Sequence, residues 1–336
     1  MQGEKQHKKL MQELGKLKVD SALISGADPN FYYFSGAMDF EGAFLVLEDF
    51  PKAIVPVFEM DRFKSESWIP DVEKVSSENF LKNVGAWLKG KKVGVNGRGM
   101  PHTMWEKLEK EDMKLVDVSE TLEKLRMIKS KEEVEYLKKA AEITKKVFDK
   151  VDFEKSESDM VADFAYELRK AGADFAYEPV IAYDERSALP HAKVTNGKGE
   201  KVLLVDMGAK YKGYHIDVTR TFKLKKDIEL ELIYSTVQDA QEMAIDAIRP
   251  GVKASEIDSV VRDYLSSAGH VFPHSTGHGV GLTVHEMPNI SVNSEIVLEE
   301  GMVFTVEPGI YLSGKFGVRI EDCVLVTSKG CEVLTR

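Results

Sequence analysis

Cysteine is almost missing from this 336-residue chain, which has only Cys323 and Cys331. Two cysteines cannot build a disulfide framework, and their positions give neither a CxxC pair nor a Cys-rich structural zinc site. Long apolar runs are missing too. No stretch approaches the roughly 20 residues needed to span a bilayer, and Met1 to Leu10 is polar where a secretory signal is apolar. The cytoplasm is therefore the expected compartment, with no membrane partner. Positive charge falls short, with 46 Lys and Arg against 56 Asp and Glu and a net charge of -10. That argues against nucleic acid as a partner, because phosphate binding relies on clustered, excess Lys and Arg. Asn (7) and Gln (5) are few beside 36 Lys, a pattern of proteins from hot-growing organisms. Familiar nucleotide and zincin signatures are also lacking. Gly94-Val95-Asn96-Gly97-Arg98-Gly99 has neither dinucleotide-loop spacing nor a P-loop lysine. His285-Glu286-Met287-Pro288-Asn289 has no second histidine for HExxH, and its proline breaks the helix that motif requires.

What is present divides in two. The length, with 43% apolar residues, suits two cores at a prior of roughly 100 to 200 residues per domain. Residues 1–125 read as a small α/β domain, with strands at Ser21–Ser25, Ala43–Leu47 and Lys92–Asn96 and a helix beginning near Pro101. Ser130 and Glu133 have capping-box spacing ahead of the apolar positions Val134, Leu137, Ala140, Ala141 and Ile143. The polar Leu125-Arg126-Met127-Ile128-Lys129 reads as a hinge, so the second domain takes residues 126–336. It mixes amphipathic helices, such as Leu232–Ile248, with strands. Lys201–Asp206 and Tyr214–Phe222 flank a turn at Lys212-Gly213 and predict an antiparallel hairpin in which Asp206 faces Asp217. Period-2 alternation puts His215, Asp217 and Thr219 on one face. A second hairpin is expected between Val303–Glu307 and Gly317–Thr327, with Arg319 and Glu321 on a common face. His278, in Gly277-His278-Gly279, is expected on a loop.

Asp206, Asp217, His278, Glu307 and Glu321 form an oxygen-rich ligand set suited to two divalent ions. Four of them are carboxylates in or beside apolar strand sequence, where an unpaired charge is costly. A metal centre accounts for all five. Such ligands favour Mn or Co, and Fe or Zn is chemically admissible. Two ions both activate water and hold the charge of a tetrahedral intermediate, which points to hydrolysis. Six of the eight histidines fall between His191 and His285, where proton transfer near neutrality needs them. Among these, His270 reads as a turn residue and His215 as a hydrogen bonder behind the ligands, while His7 and His102 are expected in solvent.

These motifs resemble the pita-bread metallopeptidases, within them the Xaa-Pro dipeptidases (prolidases) and aminopeptidase P, over nearly the whole chain. The resemblance implies an α/β N-terminal domain followed by an α+β catalytic domain of the creatinase/aminopeptidase kind, with a curved antiparallel sheet. It implies two divalent ions bridged by hydroxide, with Asp206 on one, Asp217 and Glu321 on both, and His278 and Glu307 completing the other. Glu307 doubles as general base. His191, His274, His285 and Arg319 match the family's pocket positions, where His285 stabilises the gem-diolate and His274 flanks the proline ring. Thr219 matches a hydrogen bonder behind the ligands. The implied reaction is hydrolysis of the bond before proline, in Xaa-Pro dipeptides or, as aminopeptidase P, in longer peptides; the implied assembly is a homodimer. A relative that only binds peptides is expected to have lost ligands, and all five are here. The chain departs from the pattern at Tyr214-His215-Ile216-Asp217, at Lys193-Val194 and at Gly36-Ala37-Met38-Asp39-Phe40, which lacks a histidine that some archaeal prolidases contribute across the dimer.

Overall fold

Helix α1 (Gln2–Leu17) turns His7, Leu10 and Leu14 inward at helical spacing, and all three are buried. His7 is thus not in solvent: its Nε2 lies 2.7 Å from the Glu48 carbonyl, its ring packs beside Trp68, and burial lowers its pKa. His102 is exposed, as expected. The computed structural model describes residues 2–75 and 80–336 and separates into Met1–Arg126 and Met127–Arg336.

In the first unit, β1 (Ser21–Ser25), β2 (Phe44–Leu47), β3 (Lys52–Pro56), β4 (Asp71–Val75), β5 (Lys92–Val95) and β6 (Lys114–Asp117) form one sheet in the order β4-β3-β2-β1-β5-β6. Its central β2 is antiparallel to both neighbours and the outer pairs are parallel. Helices α2 (Pro29–Ser35), α3 (Met60–Glu66), α4 (Phe80–Leu88), α5 (His102–Glu109) and α6 (Ser119–Met127) complete the unit. Val84, Leu88 and Leu108 bury one face of the sheet, each worth about 1.5–3 kcal/mol. Leu125 to Met127 is the last turn of α6, Ile128 bridges Met302, and the Lys129 ammonium meets Glu286 at 2.8 Å with both side chains buried.

The second unit opens with α7 (Lys131–Phe148), whose N-terminal amides are satisfied by the predicted capping box of Ser130 and Glu133. There follow α8 (Glu157–Lys170), β7 (Asp174–Phe175), β8 (Val180–Tyr183), β9 (Val202–Asp206), β10 (Ala209–Tyr211), β11 (Tyr214–His215) and β12 (Thr219–Lys223). Then come α9 (Ile228–Ala247), α10 (Ala254–Ser267), β13 (Gly277–Gly279), β14 (Glu286–Ile290), β15 (Val303–Val306), β16 (Gly309–Leu312), β17 (Phe316–Arg319), β18 (Asp322–Val326) and β19 (Cys331–Val333). Helices α9 and α10 pack Val237, Ala240, Ile257 and Val261 into a core with Phe304, Val306 and Val324.

Both expected hairpins exist, but each is interrupted. Strands β9 and β12 pair with Asp206 opposite Thr219, and β10 and β11 pair in a separate sheet. Asp217 is therefore not opposite Asp206. It lies in the irregular Ile216–Val218, where Met207 N–H donates to Val218 O and Ile216 N–H to Ala209 O. The second hairpin breaks in the same way, β15 with β18 and β16 with β17, leaving Glu307-Pro308 opposite Ile320-Glu321. Period-2 reasoning fails where the chain leaves one ladder for another. Gly208 makes the first interruption possible, since a Cβ there would lie 1.6 Å from the Ile216 carbonyl oxygen. Gly208→Ala is expected to destabilise the protein by about 1–3 kcal/mol, read as a lowered thermal midpoint; a wild-type midpoint would show that the backbone crossing relaxes.

Candidate metal centre

The two interruptions face each other. Glu321 N–H donates to the Thr219 carbonyl at 3.1 Å, the Thr219 hydroxyl donates to Glu321 Oε2 at 2.7 Å, and the buried Cys323 thiol donates to the Asp217 carbonyl at 3.2 Å. Asp206, Asp217, Glu307 and Glu321 all sit at the ends or gaps of ladders, where side chains are freed from strand alternation. His278 joins them from strand β13 rather than from a loop. Its flanking Gly277 is dictated by crowding, because a Cβ there would lie 1.8 Å from the Thr305 carbonyl oxygen. The Glu307 N–H to Thr276 O bond, at 2.8 Å, ties that segment to the second hairpin.

Ligand atoms of Asp217, His278 and Glu321 lie within 4.8 Å of one another. His278 Nδ1 faces the Gly279 carbonyl at 3.2 Å, which assigns the proton to Nδ1 and leaves the Nε2 lone pair outward. That nitrogen is 3.6 Å from Asp217 Oδ2 and 3.4 Å from Glu307 Oε1. Burial, and then the nearby His285, hold the His278 pKa down to about 4, so the ring is neutral. A lone pair facing two carboxylate oxygens calls for a cation between them. The carboxyls carry the same signature: burial first, then their mutual charges, push Asp217 and Glu321 well above the usual range, and burial pushes Glu307 up to about 7. The donor set fits divalent ions.

Around this centre the predicted pocket residues separate into two kinds. Arg319 is buried and committed to the protein: Nη2 donates to Asp206 Oδ2, Nε to the Thr219 hydroxyl at 3.0 Å, and Nη1 to Pro190 O and the Tyr311 hydroxyl, both at 3.2 Å. His274 is half-buried, with burial lowering its pKa to about 4, and its Nε2 accepts from the Tyr311 hydroxyl at 2.9 Å. His191 and His285 are exposed; the His285 ring lies 4.2 Å from that of His278, centroid to centroid. The His215 Nδ1 lies 3.0 Å from the Gly281 carbonyl.

Two tyrosines escape the sequence reading. Tyr311 links His274 to Arg319, and counting alternate residues from Glu307 through Gly309 reaches it. Tyr177 donates to Asp206 Oδ1 at 2.6 Å and also contacts Asp217 Oδ1; nothing in Phe175-Ala176-Tyr177-Glu178-Pro179 signals it.

Among the described residues, no helix is long and apolar enough to cross a membrane. Residues 135–328 match the model of metallopeptidase family M24, and residues 6–128 that of the creatinase/prolidase N-terminal domain. The chain is 36% identical to an Xaa-Pro dipeptidase of Pyrococcus horikoshii over 98% of its own length and 96% of that protein's. The crystal structure of a prolidase from P. horikoshii superimposes with a TM-score of 0.91 at 35% identity, covering 99% of this chain and 98% of that one. An X-Pro aminopeptidase from Thermotoga maritima does so with a TM-score of 0.89 at 32% identity, covering 98% and 97%. These full-length matches agree with the two-domain pita-bread fold expected from the motifs, and the chain belongs to metallopeptidase family M24, with a creatinase/prolidase N-terminal domain.

Proposed function

We infer that this protein hydrolyses the peptide bond preceding proline, in Xaa-Pro dipeptides, at a centre of two divalent ions. The neutral His278 Nε2 facing the carboxylates of Asp217 and Glu307 carries the reading. Asp206, Asp217, His278, Glu307 and Glu321 would hold the ions, with Mn or Co the best match to the donors and Fe or Zn chemically admissible. Bound divalent ions supply an activated water and polarise the scissile carbonyl.

The remaining chemistry belongs to side chains. Glu307 takes the proton of the attacking water and returns it to the proline nitrogen as the bond breaks. Thr305, whose hydroxyl donates to Glu307 Oε1 at 3.2 Å, orients that carboxylate. Neutral His285 donates an N–H to the developing oxyanion, and His191 and His274 contact the substrate. Arg319 holds Asp206, Thr219 and Tyr311 in place through its donors beside the substrate pocket. The tertiary amide before proline has no N–H, so recognition rests on shape and on charge at the peptide ends. We place the enzyme in the cytoplasm of a hot-growing organism, as a homodimer acting on small peptides.

Cleavage of longer Xaa-Pro peptides is the second reading, supported by the similarity to the T. maritima X-Pro aminopeptidase. Metal-reconstituted protein is expected to turn over Leu-Pro, with little activity on Leu-Pro-Gly or Met-Gly-Met and none in chelator. Preference for the tripeptide Leu-Pro-Gly selects the second reading, and activity surviving complete metal removal rejects both.

A further inference from the structure

The chain from Phe175 to Val180 is pinned on both sides of Asp206. Phe175 pairs with Ala209, Ala176 N–H donates to Gly208 O at 2.8 Å, and Val180 pairs with Asp206. Between these anchors the link of Ala176, Tyr177, Glu178 and Pro179 has little freedom to move relative to the first ladder interruption. Tyr177 uses this footing to reach inward. The residue is half-buried, while its hydroxyl touches one oxygen of each aspartate, Asp206 Oδ1 and Asp217 Oδ1.

Asp206 and Asp217 have no direct backbone pairing with each other, since Asp206 stands opposite Thr219 and Asp217 lies outside the ladder. Their relative orientation is therefore left to side-chain contacts. Arg319 takes Asp206 Oδ2, and the two Oδ1 atoms share the phenol. Each carboxylate oxygen has two lone pairs, so accepting a hydrogen bond leaves one for a cation.

We propose that Tyr177 is a positioning residue of the metal centre, whose hydroxyl fixes the Asp206 and Asp217 carboxylates relative to each other so that Asp217 meets His278 and Glu321. This role rests on the metal-centre reading above. Hydrogen bonders behind metal ligands typically govern about 10- to 100-fold in metal affinity, and an effect of that size is expected here. The aromatic ring only carries the hydroxyl to its place, so a side chain with the same ring and no hydroxyl loses the role.

The test is Tyr177→Phe in the full chain, which keeps the ring and removes the hydroxyl. Co(II) is titrated into metal-stripped protein by calorimetry, and the visible absorption of the bound ion is recorded. The variant is expected to bind Co(II) about 10- to 100-fold more weakly and to shift the absorption bands, because ligand geometry around the ion changes. An unchanged affinity and spectrum overturn the proposal, as does a fall in thermal midpoint alone, which is what lost packing would give. Failure of the wild-type chain to take up Co(II) overturns the metal-centre reading and this role with it; a Co(II)-binding wild type with an indistinguishable variant overturns the tyrosine's role only.

Discussion

Glu307→Gln is expected to lower Leu-Pro turnover about 10²- to 10⁴-fold, the range by which a positioned general base accelerates proton transfer. Glutamine keeps the shape of the side chain and its carbonyl can still accept from the Thr305 hydroxyl, so the fold should survive. It cannot accept the proton of water. Because the Glu307 carboxylate lies 3.4 Å from His278 Nε2, the variant should be assayed for bound metal as well as for rate. Lost turnover with retained metal assigns proton transfer to Glu307. Loss of both assigns ligation, and a wild-type rate rejects each role.

The second large effect is on stability in chelator. Asp217, Glu307 and Glu321 have folded pKa values raised by burial and by neighbouring carboxylates, so the folded chain holds protons that the unfolded chain has released. That contribution is present below the ordinary carboxyl pKa and is lost as pH rises through the folded values. For Glu307 alone, a rise from 4.5 to about 7 corresponds to about 3 kcal/mol. His274 and His278 work in the opposite sense: with folded values of about 4, their contribution is lost as pH falls from about 6.5. The two opposing slopes overlap at acid pH, and above about 6.5 the histidine contribution fades while the carboxylates still titrate. Metal-stripped protein should therefore lose thermal stability between about pH 6.5 and 8, and Mn(II) or Co(II) should abolish most of the loss. A pH-independent midpoint in chelator would mean that these carboxyls are not charged against one another.

The motifs are legible because their chemistry is costly. Carboxylates in apolar strand sequence are stable only if a cation or a dense set of donors meets them, so four of them together with a histidine between glycines already point to a metal. The capping box at Ser130 fixes the start of α7 by a local rule. What escapes is geometry set by distant chain. The alternation rule places Asp206 opposite Asp217, yet the ladder breaks at Met207 and Gly208, where the backbone crosses to another sheet. His278 reads as a loop residue because two glycines suggest flexibility; here Gly277 admits the Thr305 carbonyl. His7 reads as solvated from its polar surroundings, although its spacing with Leu10 and Leu14 turns it inward. Arg319 reads as a substrate contact, and its bond to Asp206 shows only in the folded chain.

The paired interruptions carry a consequence for how the protein folds. Each local ladder, β9 with β12 or β15 with β18, can form from its own strands, but the ligands come from ladder ends, ladder gaps and strand β13 and range from residue 206 to residue 321. Closing so wide a span comes late on a folding route, since the entropy of a long loop is spent before its contacts form. Tight capture of a divalent ion is thereby postponed until the second unit has its native topology, and partly folded chains, which present the same side chains unassembled, hold metal only weakly.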